Sequence, residues 1–234
     1  MDAAYGIARE LHSRRLERGE HPVGRKIGFT NRSAWLENQA PFWSYVYDST
    51  VQYARDGHAK LAIGSLLQPR IEPEIQVHFA TTPPVAGDDA AILACVDWIA
   101  HGFELVQSPY PEWRFGTADA IVAHGLHGAL VVGRPVPVSG IDDCAARLRA
   151  FSVELCCDGE PRAVGGGANV LDSPLLAVGH LNRLLSSQLD AEPVRAGEIV
   201  TTGTLTEALP VAAGETWSTT IAGIDLTGLS ITLV

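Results

Sequence analysis

Two glutamates one residue apart lie in a stretch that favours a β-strand. Glu72 and Glu74 fall within residues 70–79, where apolar side chains stand among β-favouring neighbours. Side chains two positions apart on a strand point to the same face, so the two carboxylates project together. A cation between them relieves their repulsion, and oxygen ligands suit Mg²⁺. Taken alone, the pair is more typical of a solvated strand face, and Pro73 favours an edge strand or an irregular segment.

Two more charged residues lie in apolar surroundings. Lys26 lies in a glycine-broken strand, which is typical either of a snorkelling surface lysine or of a functional ammonium. Glu104 is the one acid in an apolar strand, so it lies on an exposed face or is held by a partner. Together with Glu72 and Glu74, Glu104 would leave about three positions of an octahedral Mg²⁺ site for water or substrate oxygens.

The elements that must position these residues alternate between helices and short strands. Helices are predicted over residues 2–19, 32–38, 88–101, 117–124, 141–150 and 174–189. Strands are predicted over residues 23–29, 59–69, 70–79, 103–106, 128–133, 151–157, 198–202, 216–222 and 226–234. Residues 39–50 are predicted to form an aromatic-rich loop. The short strands near the end of the chain indicate a curled, antiparallel arrangement in place of an open parallel sheet.

The composition is that of a globular protein. The 234 residues are 46% hydrophobic and 19% charged, which is enough for one domain with a substantial core. We expect an N-terminal helical and loop segment over residues 1–58 and a β-rich core over 59–234. The net charge of −10 argues against non-specific binding to nucleic acid or to an anionic membrane. Without a signal-peptide pattern, a membrane-length apolar run or paired cysteine spacing, the chain is expected to be cytoplasmic.

Five stretches, in this order along the chain, carry a resemblance to a known family. They are VGRKIGFT (23–30), IEPEI (71–75), HGFELV (101–106), GLHGALVVG (125–133) and GEIVTTGTLT (197–206). They resemble the 2-keto-4-pentenoate hydratase / 4-oxalocrotonate decarboxylase family of the fumarylacetoacetate hydrolase superfamily. The resemblance implies an α+β fold with a mixed, largely antiparallel, rolled β-sandwich or barrel-like core and peripheral helices. It also implies homo-oligomers.

The resemblance also assigns roles to residues. It implies Mg²⁺ or Mn²⁺ held by Glu72, Glu74 and Glu104, and it implies that Lys26 lies in the active site. The substrate-lining segment falls on residues 203–206, which makes Gly203, Thr204 and Leu205 substrate-binding candidates.

One departure concerns the residues that would handle water. Many family members carry paired aspartates where this chain has Asp48 and Ser49, and the chain is shorter than its relatives before the first helix. Asp48 is a candidate for orienting the attacking water, although a turn-capping carboxylate is an equally good interpretation. At the substrate's distal end, Arg114 is either the receiver of a second carboxylate or a surface residue. His101 and His127 are expected to be structural histidines.

The activity implied by the resemblance is hydration of a 2-hydroxy-2,4-dienoate, a small keto or enol acid from aromatic catabolism. Three alternatives stay open. They are decarboxylation of a 4-oxalocrotonate-type acid, C–C hydrolysis of an acylpyruvate, and a catalytically silent subunit in complex with a paralogous decarboxylase or hydratase. The hydrolase would need a His/Glu pair, for which the N-terminal region offers no clear candidate.

Overall fold

Two β-sheets and the helices packed on them make up the protein, which the computed structural model describes over residues 1–31 and 40–234. In these ranges the helices are α1 (Asp2–Glu17), α2 (Asp89–Leu93), α3 (Thr117–Val122), α4 (Cys144–Ala150) and α5 (Pro174–Ser186). The first seven strands are β1 (Pro22–Gly28), β2 (Phe42–Tyr47), β3 (Val51–Tyr53), β4 (His58–Leu61), β5 (Arg70–Phe79), β6 (Val96–Val106) and β7 (His127–Val132). The others are β8 (Val136–Pro137), β9 (Ser152–Cys157), β10 (Glu160–Gly166), β11 (Ile199–Thr204), β12 (Leu209–Pro210), β13 (Thr216–Ala222) and β14 (Ser230–Leu233).

The larger sheet is mixed and is built around β5. Its main strand order is β2-β1-β11-β5-β6-β7-β3, with the short strands β12 and β8 added beside β5 and β6. Strand β5 pairs antiparallel with β6 along its whole length and antiparallel with β11 on its other side. Strand β1 joins this sheet through a parallel pairing with β11, in which Gly24 pairs with Ile199, 175 positions later in the chain. The sheet therefore brings together segments that are far apart in sequence.

A second sheet, in the order β10-β9-β13-β14-β4, covers part of the first. Apolar side chains fill the space between the two sheets, including Ile71 and Phe103 from the first sheet and Trp217 from the second. A larger apolar core joins the first sheet to the helices, above all to α5. Helix α5 begins at Ser173, whose side chain accepts a hydrogen bond from the Leu175 N–H, and a proline occupies the first helical position. This layered arrangement confirms the predicted α+β fold with a rolled, largely antiparallel core.

One predicted helix is wrong in most of its length. Over residues 88–101 only Asp89–Leu93 is helical, and from Val96 onward the chain is extended as β6. The apolar residues Ile92, Val96 and Ile99 fit a helical face, but the last two also fit a buried strand. Pairing with β5 decides for the strand, because it satisfies backbone groups of the central strand that would otherwise be buried without partners.

The N-terminal segment also differs from the prediction. Residues 42–47 form strand β2, not loop, and both β1 and β2 belong to the same sheet as β5. The expected separation of a helical segment before residue 58 from a β core after it is therefore absent from the structure. The predicted helix over residues 32–38 lies outside the described residues.

Strand β5 is central, so the expectation that Pro73 marks an edge strand is corrected. The pairing of β11 with β5 shifts by one residue between Thr201 and Thr204 and ends at the Thr204–Glu74 pair, so Pro73 lies just beyond this ladder, where no N–H donor is needed. The Pro73 carbonyl still accepts a hydrogen bond from the Leu205 N–H at 2.8 Å. In the described part of the chain, no helix is both long and apolar enough to span a bilayer.

Candidate active site

Strand register brings the three glutamates together on one face of the larger sheet. Glu72 on β5 lies directly opposite Glu104 on β6, and Glu74 lies opposite Gly102. Gly102 has no side chain, and a Cβ atom there would lie 2.1 Å from the Val131 carbonyl oxygen. The ligand atoms of the three glutamates fall within 4.8 Å of one another, a grouping that could hold a metal ion. The antiparallel pairing of β5 with β6 therefore places the carboxylate of Glu104 beside those of Glu72 and Glu74.

Lys26 reaches the same face from a different strand. On β1 it pairs with Thr201 of β11, and Thr201 pairs with Gln76 of β5, so these positions form one row beside Glu74. The Lys26 ammonium donates a hydrogen bond to Oε1 of Glu104 at 2.6 Å, and both side chains are almost completely buried. The lysine is therefore not a snorkelling surface residue, and its ammonium is held within the glutamate cluster.

The two fully buried glutamates share one bonding pattern. In Glu74, Oε2 accepts hydrogen bonds from the Thr201 hydroxyl and from the Gly203 N–H at 2.9 Å, whereas Oε1 has no partner among the described residues. In Glu104, Oε1 accepts from Lys26 and from His127 Nδ1 at 2.8 Å, whereas Oε2 again has no partner in the described part of the chain. A buried carboxylate oxygen without a hydrogen bond is costly. One fixed and one free oxygen on each side chain therefore fit a divalent cation with oxygen ligands.

The pKa values of the four charged groups follow from burial and mutual proximity. Burial raises the pKa of Glu72 to about 7, although the charge of Lys26 opposes this shift. Burial and the charges of Glu104 and Glu72 raise the pKa of Glu74. For Glu104, burial is outweighed by Lys26 and His127, which lower its pKa. For Lys26, burial is outweighed by the glutamates, which raise its pKa. Three carboxylates thus face one ammonium, and the raised pKa values mean that protons occupy part of the cluster where no cation replaces them.

A cavity of about 320 Å³, here called the main cavity, opens beside the cluster. Lys26, Glu72 and Glu74 line its inner end. Apolar and aromatic side chains form much of the remaining wall, namely Ile27, Phe29, Phe42, Val106, Trp113, Phe115 and Leu126. Charged inner groups with apolar walls suit a small acid with a carbon chain.

The end of β11 contributes Gly203 and Thr204 to this wall, but the next residue, Leu205, does not line it. Gly203 has a φ of 101°, and a Cβ atom there would lie 1.8 Å from the Thr30 hydroxyl, so only glycine fits. Leu205 is fully buried in the apolar core and contributes its backbone N–H to Pro73. Of the three predicted substrate-binding residues, the structure thus brings two to the cavity.

Asp48 lies apart from the main cavity. It is exposed at the start of a 3₁₀ turn, where Oδ1 accepts hydrogen bonds from the backbone N–H groups of His21 at 3.0 Å and Ser49 at 2.8 Å. This placement corresponds to the turn-capping interpretation. Arg114 does not line the main cavity either: its side chain is 83% exposed and pairs with Glu112 at 2.9 Å.

Three residues in or beside the site had no predicted functional role. His127 bridges Glu104 and the Thr50 hydroxyl, at 2.8 and 2.9 Å, and so holds one carboxylate of the cluster in place. Thr201 and Arg70 flank the glutamates from β11 and from the start of β5. Arg70 shares the alternation of Glu72 and Glu74, which is a sequence signal for the shared face. The contacts of His127 and Thr201 depend on pairing between distant strands, for which the sequence holds no local signal.

Comparison with curated proteins gives relatives of related activity along nearly the whole chain. The 2-hydroxyhexa-2,4-dienoate hydratase of Comamonas testosteroni is 28% identical and aligns with 99% of this chain and 86% of its own. A 2-keto-4-pentenoate hydratase of Burkholderia vietnamiensis is 30% identical, with 94% and 82% covered. A 4-oxalocrotonate decarboxylase of Pseudomonas putida is 29% identical, with 91% and 78% covered. No protein-family model matches the chain.

Solved structures give the same picture of the fold. The 4-oxalocrotonate decarboxylase of Pseudomonas putida G7, complexed with magnesium and adipate, has a TM-score of 0.85 at 27% identity. That alignment covers 99% of this chain and 85% of the decarboxylase. Fumarylpyruvate hydrolase of Pseudomonas aeruginosa, complexed with Mn²⁺ and pyruvate, has a TM-score of 0.70 over 90% and 88% of the two chains. At 20% identity the second likeness is one of fold.

Proposed function

Because the chain belongs to the 2-keto-4-pentenoate hydratase / 4-oxalocrotonate decarboxylase family of the fumarylacetoacetate hydrolase superfamily, we propose that it is a divalent-metal-dependent hydratase. It would add water to a 2-hydroxy-2,4-dienoate during the breakdown of aromatic compounds, as a carbon–oxygen lyase. The observation that carries this proposal is the pair of buried glutamates, Glu74 and Glu104, each with one unpartnered oxygen beside the ammonium of Lys26.

The reaction is an addition that balances without a further reactant. Water gives its hydroxyl to C4 of the substrate and a proton to C5, while the enol proton on the C2 oxygen is replaced by a proton on C3. The product is a 4-hydroxy-2-oxo acid. Negative charge therefore develops on the C2 oxygen, and the main requirement on the protein is to stabilise that charge.

The proposed metal ligands are Glu72, Glu74 and Glu104, with Mg²⁺ or Mn²⁺ as the ion. When bound, the ion supplies Lewis acidity for charge that develops on a substrate oxygen. The hydrogen bonds to Glu74 and Glu104 hold one oxygen of each carboxylate in place, so the other oxygens are preorganised as ligands. The protein would therefore contribute to metal binding by holding the ligand oxygens in position before the ion arrives.

Lys26 would act on the substrate directly. An ammonium group has three N–H donors, and Glu104 accepts one of them. The others are available to the C1 carboxylate or the C2 oxygen of an acid in the main cavity, which Lys26 lines. Gly203 and Thr204 would lie along the bound chain, and the aromatic wall would exclude bulk water from it. Asp48 has no part in this mechanism, because it is exposed outside the main cavity.

A substrate panel tests the proposal. The Mg²⁺-loaded protein is given 2-hydroxypenta-2,4-dienoate and, separately, 2-oxohex-3-enedioate, and absorbance, CO₂ release and product mass are followed. We expect the first substrate to be consumed with a mass gain of one water. Release of CO₂ from the second substrate without turnover of the first would contradict the hydratase and support the decarboxylase. Turnover of neither would contradict both the hydratase and the decarboxylase and would leave the acylpyruvate hydrolase and the silent subunit.

The decarboxylase is the second candidate, supported by the likeness to the Pseudomonas putida G7 enzyme at a TM-score of 0.85. It would use the same charge stabilisation without attack by water. Cytoplasmic location, homo-oligomers and a complex with a paralogous enzyme remain part of the proposal and rest on the family resemblance. Light scattering coupled to size-exclusion chromatography tests the oligomer, and a mass of about one chain would contradict it.

A further inference from the structure

We propose that Gln76 is a fourth side chain of the metal site, and that its amide oxygen helps to hold the ion on the side of the glutamates away from the main cavity. This inference rests on the metal-binding part of the proposed function. It goes beyond the three carboxylates, because it adds a neutral residue that does not line the main cavity.

Gln76 continues the row of side chains to which the two glutamates of β5 belong. It follows Glu72 and Glu74 at the same two-residue spacing, so its side chain projects from the same face of the sheet. The residues at positions 70, 72 and 74 line the main cavity, whereas Gln76 does not and is completely buried. Gln76 therefore lies behind the glutamates, at the closed end of the row.

The amide group of Gln76 leans toward the glutamates. The residue directly opposite Gln76 on β6 is Ala100, but the amide lies over Gly102, which is opposite Glu74. A Cβ atom on Gly102 would lie 2.5 Å from Oε1 and 2.9 Å from Nε2 of Gln76, so the amide occupies the space that a side chain there would fill. Gly102 is two residues before Glu104 on the same face. The amide therefore lies beside Glu74 and on the side of Gln76 that faces Glu104.

The amide has no hydrogen-bond partner among the described residues, through either Oε1 or Nε2. Its other neighbours on this face are apolar and buried, since Ala100 lies opposite Gln76 and Val132 lies opposite Gly102. A buried amide without partners is costly. Within the described strands β5 and β6, the other buried side-chain oxygens without a partner are Oε1 of Glu74 and Oε2 of Glu104. A cation placed among these three oxygens gives each of them a positive partner.

A glutamine amide suits this position chemically. Side-chain carbonyl oxygens are among the groups that hold hard cations, directly or through a bound water. Three carboxylates and two oxygens of a keto acid leave about one position of an octahedral ion, which the amide oxygen would serve. A neutral oxygen also adds no further negative charge to a cluster in which the charges of Glu104 and Glu72 already raise the pKa of Glu74.

One substitution should change stability and metal binding in different ways. Gln76→Met keeps the length of the side chain and removes the amide. In the metal-free protein the thermal midpoint of this variant should be no lower than that of the wild type, because an apolar group replaces a buried polar group without partners. Its affinity for Mn²⁺, measured by calorimetry, should fall by about 10–100-fold. A purely structural amide would give the reverse result, a lower midpoint with unchanged Mn²⁺ affinity.

Two further variants separate the amide oxygen from burial of an amide in general. Gln76→Glu keeps an oxygen at the same place, so it should bind Mn²⁺ at pH 8 at least as tightly as the wild type. Asn182→Leu is the matched control, since Asn182 is also a buried amide, but it lies on α5 and donates to the Pro84 carbonyl at 3.0 Å. This control should lower the thermal midpoint and leave the Mn²⁺ affinity unchanged.

Two results would overturn the inference. One is equal Mn²⁺ affinity in Gln76→Met and the wild type. The other is a loss of affinity in Gln76→Glu as large as that in Gln76→Met, which would mean that an oxygen at this place does not help to hold the ion. If Gln76→Met is poorly folded by circular dichroism, Gln76→Glu decides, and an affinity more than tenfold below that of the wild type counts against the inference.

Failure of the proposed function would look different. In that case Mn²⁺ binding and its dependence on Gln76 persist, but no dienoate gains water in the substrate panel. If instead 2-hydroxypenta-2,4-dienoate is hydrated while Gln76→Met binds Mn²⁺ like the wild type, the hydratase stands and the role of Gln76 falls. A wild-type protein that binds no Mn²⁺ would overturn the role of Gln76 and the proposed metal ligands together, before any substrate is added.

Discussion

The Nζ atom of Lys26 lies 2.6 Å from Oε1 of Glu104, and both side chains are buried in the wall of the proposed active site. The lysine comes from a strand that joins the sheet through a parallel pairing, and the glutamate comes from a strand that joins it through an antiparallel pairing. The ion pair therefore joins β1 to β6, across the strands β11 and β5 that lie between them in the sheet. Removing one partner leaves a buried charge, which is the basis of the first prediction.

Lys26→Met should lower the free energy of unfolding of the metal-free protein by about 3–5 kcal/mol, because Glu104 loses a buried partner. The double variant Lys26→Met/Glu104→Gln should lose less than the sum of the two single variants. Urea denaturation in the presence of a chelator measures all four proteins. Additivity within about 0.5 kcal/mol would show that the two residues do not interact energetically.

Glu74→Gln and Glu104→Gln should each abolish measurable binding of Mn²⁺ at micromolar concentrations, because each removes a charged ligand and returns an amide donor. Calorimetric titration measures the affinity. Glu112→Gln is the matched control, since Glu112 is exposed and pairs with Arg114 outside the cluster. An unchanged affinity in either cluster variant would mean that the metal binds elsewhere.

Metal affinity should rise with pH between about 6 and 8. The pKa of Glu72 is raised to about 7 by burial, and that of Glu74 is also raised, so protons occupy the cluster at the lower end of this range. A ligand carboxylate must lose its proton, so affinity falls about tenfold per pH unit below the pKa for each proton displaced. Calorimetry in two buffers of different ionisation enthalpy counts the protons. Binding without proton release at pH 6.5 would contradict this prediction.

His127→Gln should weaken metal binding by about 10–100-fold without abolishing it, because Nδ1 of His127 holds Oε1 of Glu104 in place. Thr50→Val should have a smaller effect in the same direction, since Thr50 contacts the far side of the ring. His58→Gln, at an exposed position on β4, is the control. Equal metal affinity in His127→Gln and the control would reduce His127 to a structural residue.

Gly203→Ala should lower the free energy of unfolding by about 3 kcal/mol or more, because it adds a clash with Thr30 to an unfavourable φ. Gly197→Ala is matched to it: Gly197 has a φ of 87°, but no atom of the described residues lies within 4 Å of the added Cβ, so only the backbone cost of about 1 kcal/mol remains. Thermal and urea unfolding compare the two. Similar losses would mean that Thr30 moves aside at little cost.

The local part of the site follows from the sequence, and the long-range part does not. Alternation along residues 70–79 is enough to predict a strand that presents Glu72 and Glu74 on one face, as the structure has it. Which strands lie beside it depends on pairing between β1, β11 and β6, and no local pattern contains that information. The sequence marks Glu104 and Lys26 only by their apolar surroundings, and the family resemblance is what assigns them to the same site as Glu72 and Glu74.

The errors have the same physical origin. Residues 96–99 and 42–47 have apolar and aromatic patterns that fit more than one local structure, and partners from distant strands decide for β-structure in both. Asp48 matches a family position by sequence, but its carboxylate caps a turn at the surface. Leu205 follows two cavity residues, yet the backbone after the left-handed Gly203 directs its side chain into the core.

His101 has a consequence for how the two layers of the protein behave together. Burial lowers its pKa to about 4, so the ring is neutral at neutral pH. Its Nδ1 lies 3.0 Å from the Glu74 carbonyl oxygen, which can only accept, and its Nε2 therefore accepts from Thr219 at 2.8 Å. Thr219 belongs to the second sheet, so the peptide that carries a proposed metal ligand is anchored to the opposite layer. The spacing between the two sheets therefore helps to set the position of Glu74. A change that loosens the second sheet should weaken metal binding.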